Sequence, residues 1–279
     1  MRGYLFAFPV SAGRPGLASE SAASPRRKPF GLTYILLAFR GLGSVPADRV
    51  QWCDAYLMYL KRSGGMYLKS VFVIGNIASG KSTAARYLES KGAVRIDLDT
   101  MAKDLYQPGS EIVQELCEAF GWDILDENGG VNTRALAFRA FDTPEAVKTL
   151  NNIVHPVLLK QLSQRLLPVQ CCSTTLPITP LTVVEVSAPA SFTDAFPLAD
   201  EIIAITAPFD IRRNRAIERG MDADDFDRRA EAQPSEEELL AMATVAIDNS
   251  AADDRLFHEL DAWLASSGVS FDSNGRIDA

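Results

Sequence analysis

One stretch of nine residues constrains this chain more than any other: Gly75-Asn76-Ile77-Ala78-Ser79-Gly80-Lys81-Ser82-Thr83. It satisfies the pattern G-x-x-x-x-G-K-[ST] without a mismatch. Its flanks fit as well. Val71-Phe72-Val73-Ile74 is a continuous apolar run, as a strand buried on both faces requires. Lys81 to Lys91 reads as a helix, with Ala84, Ala85 and Leu88 available for packing. Strand, glycine-rich loop and helix together let backbone N–H groups wrap a phosphate. Gly75 and Gly80 permit the tight turn and the close approach of backbone to oxygen. In such a loop Lys81 bridges the terminal phosphates of a nucleoside triphosphate, and the Ser82 hydroxyl ligates magnesium. The cofactors expected are therefore ATP and Mg2+, with Gly75, Asn76, Ile77, Ala78, Ser79, Gly80, Lys81, Ser82 and Thr83 lining the site.

Around that loop the elements alternate. Strands are expected at Lys69–Ile74, Val94–Ile96, Leu181–Val186, Glu201–Ile205 and Thr244–Ile247. A helical stretch from Thr100 to about Leu167 is broken at Pro108-Gly109 and at Asp126–Asn132, and Pro156 is expected to kink or restart its last helix. Further helices are expected at Asp210–Arg219, Phe226–Ala232, Ser235–Met242 and Leu256–Leu264. Strands alternating with helices imply an α/β fold with a parallel sheet covered on both faces.

Residues 1–65 differ from the rest. Ser11 to Pro29 is rich in Ser, Ala, Gly, Pro and Arg, a composition that builds no core. Met66 stands three residues ahead of the first strand. The segment is expected to be an N-terminal extension without fixed structure, or sequence translated upstream of a true start at Met66. Residues 66–265 then form the folded unit, and 266–279 a mobile tail. The net charge of −8 is uneven: residues 1–65 are net basic and the remainder is strongly acidic. An acidic body argues against a nucleic-acid groove. Cys53, Cys117, Cys171 and Cys172 lack the spacing of a zinc or redox site, and two histidines are too few for a histidine metal centre. A reducing, cytoplasmic compartment is expected. No apolar stretch is long enough to span a bilayer.

Asp97 and Asp99 follow the second strand, which is expected to lie beside the loop-bearing strand. Ligands of such sheets sit at the carboxyl ends of strands. Two carboxylates there can accept a proton from an attacking hydroxyl or hold magnesium through water. Equally, Asp99 reads as the N-cap of the helix starting at Thr100, and Asp97 as a strand-end turn residue.

From Met66 to Leu264 the sequence resembles the dephospho-coenzyme A kinase family. Gly75–Thr83 is similar to its phosphate-binding loop. Lys91-Gly92-Ala93-Val94-Arg95-Ile96-Asp97-Leu98-Asp99 resembles its Leu-Gly-Ala-x-Val-Ile-Asp-Ala-Asp segment. Pro108-Gly109-Ser110, Phe120-Gly121 with Ile124-Leu125, and Leu150-Asn151-Asn152-Ile153-Val154-His155-Pro156 look like three further stretches. So do Arg215 and Arg219, Arg229 with Gln233, and Ile247-Asp248-Asn249. The P-loop alone is specific; for the others it is their order and spacing that carry the likeness.

The resemblance implies a P-loop kinase with a five-stranded parallel sheet, an inserted helical substrate-binding domain at about 100–167 and a lid at about 208–240. It implies ATP-dependent phosphorylation of the ribose 3′-hydroxyl of dephospho-coenzyme A. Asp99 would be the catalytic carboxylate, supported by Asp97. Lys81 and Arg215 would contact the phosphates, Asn249 would approach the adenine, and His155 would touch the substrate or hold the helical domain. The partner implied is that small molecule, with no nucleic acid or membrane, and the chain would act as a monomer or weak homo-oligomer.

Departures from the family pattern leave alternatives. Its Pro-Leu-Leu-Phe-Glu becomes Ser187-Ala188-Pro189-Ala190-Ser191, with Glu185 keeping the acidic position before it. Basic residues expected at 133, 159 and 239 are Thr133, Leu159 and Leu239, and two loop glycines are Asn76 and Ala78. Asn76-Ile77-Ala78 reads like the loop of deoxynucleoside kinases, so a nucleoside or deoxynucleoside kinase is the second reading. An ATP-binding regulator without catalysis is the third.

Overall fold

The computed structural model describes residues 69–166, 181–251 and 253–269. The expectations for residues 1–65, for Cys171 and Cys172 and for most of the tail lie outside these residues.

Five parallel strands form one sheet in the order β2-β3-β1-β4-β5. They are β1 (Lys69–Ile74), β2 (Val94–Asp97), β3 (Leu181–Val186), β4 (Glu201–Thr206) and β5 (Val245–Asp248). Helix α1 (Lys81–Ser90) follows β1. Helices α2 (Leu98–Asp104), α3 (Val113–Phe120), α4 (Thr133–Ala140) and α5 (Pro144–Leu166) lie between β2 and β3. After β4 come α6 (Phe209–Glu218), α7 (Ala223–Glu231) and α8 (Glu236–Met242), and α9 (Arg255–Ser266) follows β5.

Strand periodicity sends alternate residues to opposite faces. Phe72 and Ile74 of β1 enter one core with Leu98, Met101, Tyr106, Leu116, Leu136, Leu150 and Leu158 of the helical insertion. Val71 and Val73 enter the other, with Ala84, Ala85 and Leu88 of α1 and Leu260 and Trp263 of α9. Both faces are thus covered, which is why the central strands read as unbroken apolar runs. Among the described residues no helix is long and apolar enough to cross a membrane.

Two expectations are corrected here. β2 is not the neighbour of β1: β3 lies between them, pairing Val73 with Glu185 on one side and Asp97 with Glu185 on the other. Nor does Pro156 restart a helix. α5 runs unbroken from Pro144 to Leu166 with Pro156 inside it. Val147, Leu150, Val154, Leu158 and Leu162 are buried on both sides of the proline. That continuous apolar face offsets the backbone donor Pro156 lacks.

Candidate active site

The loop between β1 and α1 is shaped by contacts that leave no room for larger residues. A Cβ at Gly75 would fall 2.5 Å from Ser79 Oγ and 2.8 Å from the Ile205 carbonyl. One at Gly80 would fall 2.1 Å from Asn249 Nδ2, and Gly80 also has φ +105°. Ala78 takes a left-handed conformation, φ +60°, without being glycine. Gly80 caps α1 with no side-chain partner, so the first N–H groups of that helix are left for a ligand.

Behind the loop, at the carboxyl end of β3, stands Glu185. Its Oε1 accepts a hydrogen bond from the Ser82 hydroxyl and lies 3.6 Å from Lys81 Nζ. Its Oε2 accepts from Arg95 Nη2 at 2.6 Å and from Arg95 Nε at 3.2 Å. Burial works to raise the Glu185 pKa, but Lys81, Ser82 and Arg95 outweigh it and hold the carboxyl below its ordinary value. Both Lys81 and Glu185 are buried.

The two aspartates divide their tasks differently from the sequence expectation. Asp97, not Asp99, caps α2. Asp97 Oδ1 accepts from the N–H groups of Asp99 at 3.0 Å and Thr100 at 3.2 Å, while Oδ2 accepts from Arg95 Nη2 at 3.1 Å. The helix begins two residues earlier than the pattern suggested, at Leu98, so the capping position moves back to Asp97. Asp99 is freed from that duty and is 9% exposed. Burial pushes its carboxyl upward, with Asp97 adding to the effect, while Lys81, a Ser187 hydrogen bond and Lys103 oppose it.

On the far side, the segment after β4 closes over the loop. Gln233 Oε1 accepts the Ile77 N–H at 2.7 Å, and Asn76 Nδ2 donates to the Pro234 carbonyl at 2.9 Å. A pocket opens between these parts, lined by Asn76 to Thr83 together with Ser187, Arg219, Arg229 and Gln233. Arg215 is not among its lining residues. It donates instead to the carbonyls of Asn249 at 2.8 Å and Ala251 at 3.2 Å. Arg219, one helical turn further on, faces the pocket. Asn249 lies under the loop, donating through Nδ2 to the Ser79 carbonyl at 2.7 Å. His155 is also not among the lining residues: its ring packs edge-on against Phe192, centroids 5.1 Å apart. Burial lowers the His155 pKa, with Asp194 opposing.

The structure therefore brings Lys81, Ser82, Asp97 and Asp99 to one end of the sheet and leaves Arg215 and His155 aside. Sequence reasoning gave Arg95, Gln233 and Arg229 no role at the site, and left Glu185 as an acidic position only. A charged residue inside β2 and a carboxylate near the end of an otherwise apolar β3 were the available signals.

A family model described as dephospho-CoA kinase matches residues 70–254. The dephospho-CoA kinase of Corynebacterium diphtheriae is 32% identical over 198 residues, 69% of this chain and 96% of that protein. That of Aquifex aeolicus is 30% identical, covering 69% of this chain and 94% of its own length. A crystal structure of a Thermus thermophilus protein superposes with a TM-score of 0.59 at 28% identity, over 72% of this chain and 98% of the other. With its loop, its strand-end carboxylates and these relatives agreeing, the chain belongs to the dephospho-CoA kinase family.

Proposed function

We propose that this chain transfers the terminal phosphoryl group of ATP to the ribose 3′-hydroxyl of dephospho-coenzyme A. Family membership supplies the reaction. The observation that carries the residue roles is the convergence of Lys81, Ser82, Glu185 and Asp99 behind one phosphate-binding loop. Lys81 and the N–H groups at the start of α1 hold the phosphates. Asp99 accepts the proton of the attacking hydroxyl; burial raises its pKa, which makes it a better base than an exposed aspartate. Arg219 and Arg229, which line the pocket, are the arginines that meet phosphate charge, and Arg215 holds the turn after β5 for the adenine end.

Magnesium fits the donor set: the Ser82 hydroxyl and Glu185 carboxylate are hard oxygen groups beside the loop. Ser82 and Glu185 are the residues that would hold the ion. When bound it neutralises charge on the phosphates. The helical insertion from Thr100 to Arg165 holds the pantetheine arm, and His155 fixes α5 against the segment after β3. A kinase consuming ATP in this way works in the cytoplasm.

An ADP-release assay over a panel of acceptors tests the reading. Turnover is expected with dephospho-coenzyme A and not with nucleosides or deoxynucleosides. Preference for a nucleoside would overturn it in favour of a nucleoside kinase. ATP binding without turnover on any acceptor would leave only a regulator.

A further inference from the structure

Glu185 has two cations within reach and does not share itself equally between them. Arg95 Nη2 is 2.6 Å from Oε2, a close charge-assisted hydrogen bond. Lys81 Nζ is 3.6 Å from Oε1, beyond hydrogen-bond length although still an ion pair. Arg95 does not line the pocket. Its guanidinium spans the ends of two adjacent strands, reaching Glu185 on β3 and Asp97 on β2. One nitrogen, Nη2, serves both carboxylates, and Nε adds a second contact to Glu185.

We propose that Arg95 is a positioning residue that draws the Glu185 carboxylate toward β2 and so keeps Lys81 available for the phosphates of the nucleotide. The inference rests on the nucleotide-binding reading of the loop. Without Arg95, Glu185 would retain its burial and its Ser82 hydrogen bond but lose its nearest cation. Lys81 is then the one remaining partner with positive charge among the groups that hold this carboxyl. A tightened Lys81–Glu185 pair must be broken before the lysine can meet a phosphate, and that cost appears as lost affinity.

The test is calorimetric titration of the full chain with ADP in EDTA, where no metal contributes, alongside the melting temperature of each variant. Arg95→Met is expected to bind ADP at least roughly tenfold more weakly, close ion pairs in a low-dielectric site being worth more than surface ones. Adding Glu185→Gln to it should restore affinity to within about threefold of the parent, because the competitor for Lys81 is gone. Arg95→Gln, which can still donate to Oε2 but carries no charge, should behave as Arg95→Met and serves if the methionine variant does not fold. Unchanged affinity in a folded variant, or a loss that Glu185→Gln does not relieve, would overturn the proposal. Failure of both single variants to fold would make Arg95 a structural residue and overturn it too. A parent chain that does not bind ADP would instead refute the nucleotide reading, and this proposal would fall with it.

Discussion

The side-chain oxygen of Gln233 accepts the backbone N–H of Ile77 at 2.7 Å, tying the segment between α7 and α8 to the middle of the phosphate-binding loop. The neighbouring bond from Asn76 Nδ2 to the Pro234 carbonyl reinforces the tie. Gln233→Leu strands the Ile77 N–H. The expected cost is about 1 kcal/mol, or roughly 2–4 °C in melting temperature. A phosphate that takes up the freed N–H should restore much of this, so saturating ADP should narrow the gap between variant and parent. Differential scanning calorimetry with and without ADP measures both. A gap that ADP leaves unchanged would show that this N–H does not meet the nucleotide.

Lys81→Ala should lower phosphoryl transfer by at least about 10²–10³-fold, the usual worth of a donor aimed at developing charge. The fold should persist, since Glu185 keeps Ser82 and Arg95 as partners. Steady-state turnover and circular dichroism of the variant check this. Near-parental turnover would mean the loop is not the site of the chemistry.

Gly80→Ala should be severe for two separable reasons. The new Cβ would lie 2.1 Å from Asn249 Nδ2, and φ +105° disfavours any side chain. The backbone contribution alone is about 1–3 kcal/mol. Combining it with Asn249→Ala removes the clash but leaves the backbone strain, so denaturant unfolding should show partial recovery. Full recovery would mean that φ at this position costs nothing.

How far the site could be read from the sequence depends on how local each feature is. The loop, its strand and its helix were legible because motif, buried strand and packing positions are contiguous. The positions of the strands followed from stretches of strand length, mainly apolar except for β2 with Arg95 inside it, but their order did not. Placing β3 between β2 and β1 is a matter of crossover, and no local pattern encodes it. That insertion is what puts Glu185 between Val73 and Asp97 and so behind Ser82 and Lys81. Arg95 was invisible for the same reason, because its meaning depends on a carboxylate 90 residues away. The capping role passed from Asp99 to Asp97 through a two-residue shift in the start of α2, within the usual uncertainty of a helix boundary.

That shift changes what the two aspartates predict. Asp97→Ala should cost about 1 kcal/mol as a lost cap, whereas Asp97→Asn should be tolerated. Asp99→Asn should behave oppositely in sign. A carboxyl whose folded pKa is raised favours folding below its ordinary value of 3.8 and loses that contribution as pH rises through the folded value. Removing the charge should therefore make Asp99→Asn at least as stable as the parent at neutral pH, with the advantage vanishing as pH falls toward 3.8. Melting temperatures across pH 4–8 test this. An Asp99→Asn protein clearly less stable at neutral pH would contradict the burial argument.

The role proposed for Asp99 is to take the proton of the acceptor hydroxyl. Single-turnover reaction of ATP with dephospho-coenzyme A, with coenzyme A quantified by mass spectrometry, isolates that step. The parent should form coenzyme A phosphorylated on the ribose 3′-hydroxyl. Asp99→Asn should form it roughly 10²–10⁴-fold more slowly, the usual contribution of a positioned base, while binding ATP as the parent does. An Asp99→Asn variant that makes coenzyme A at the parental rate would contradict the assignment.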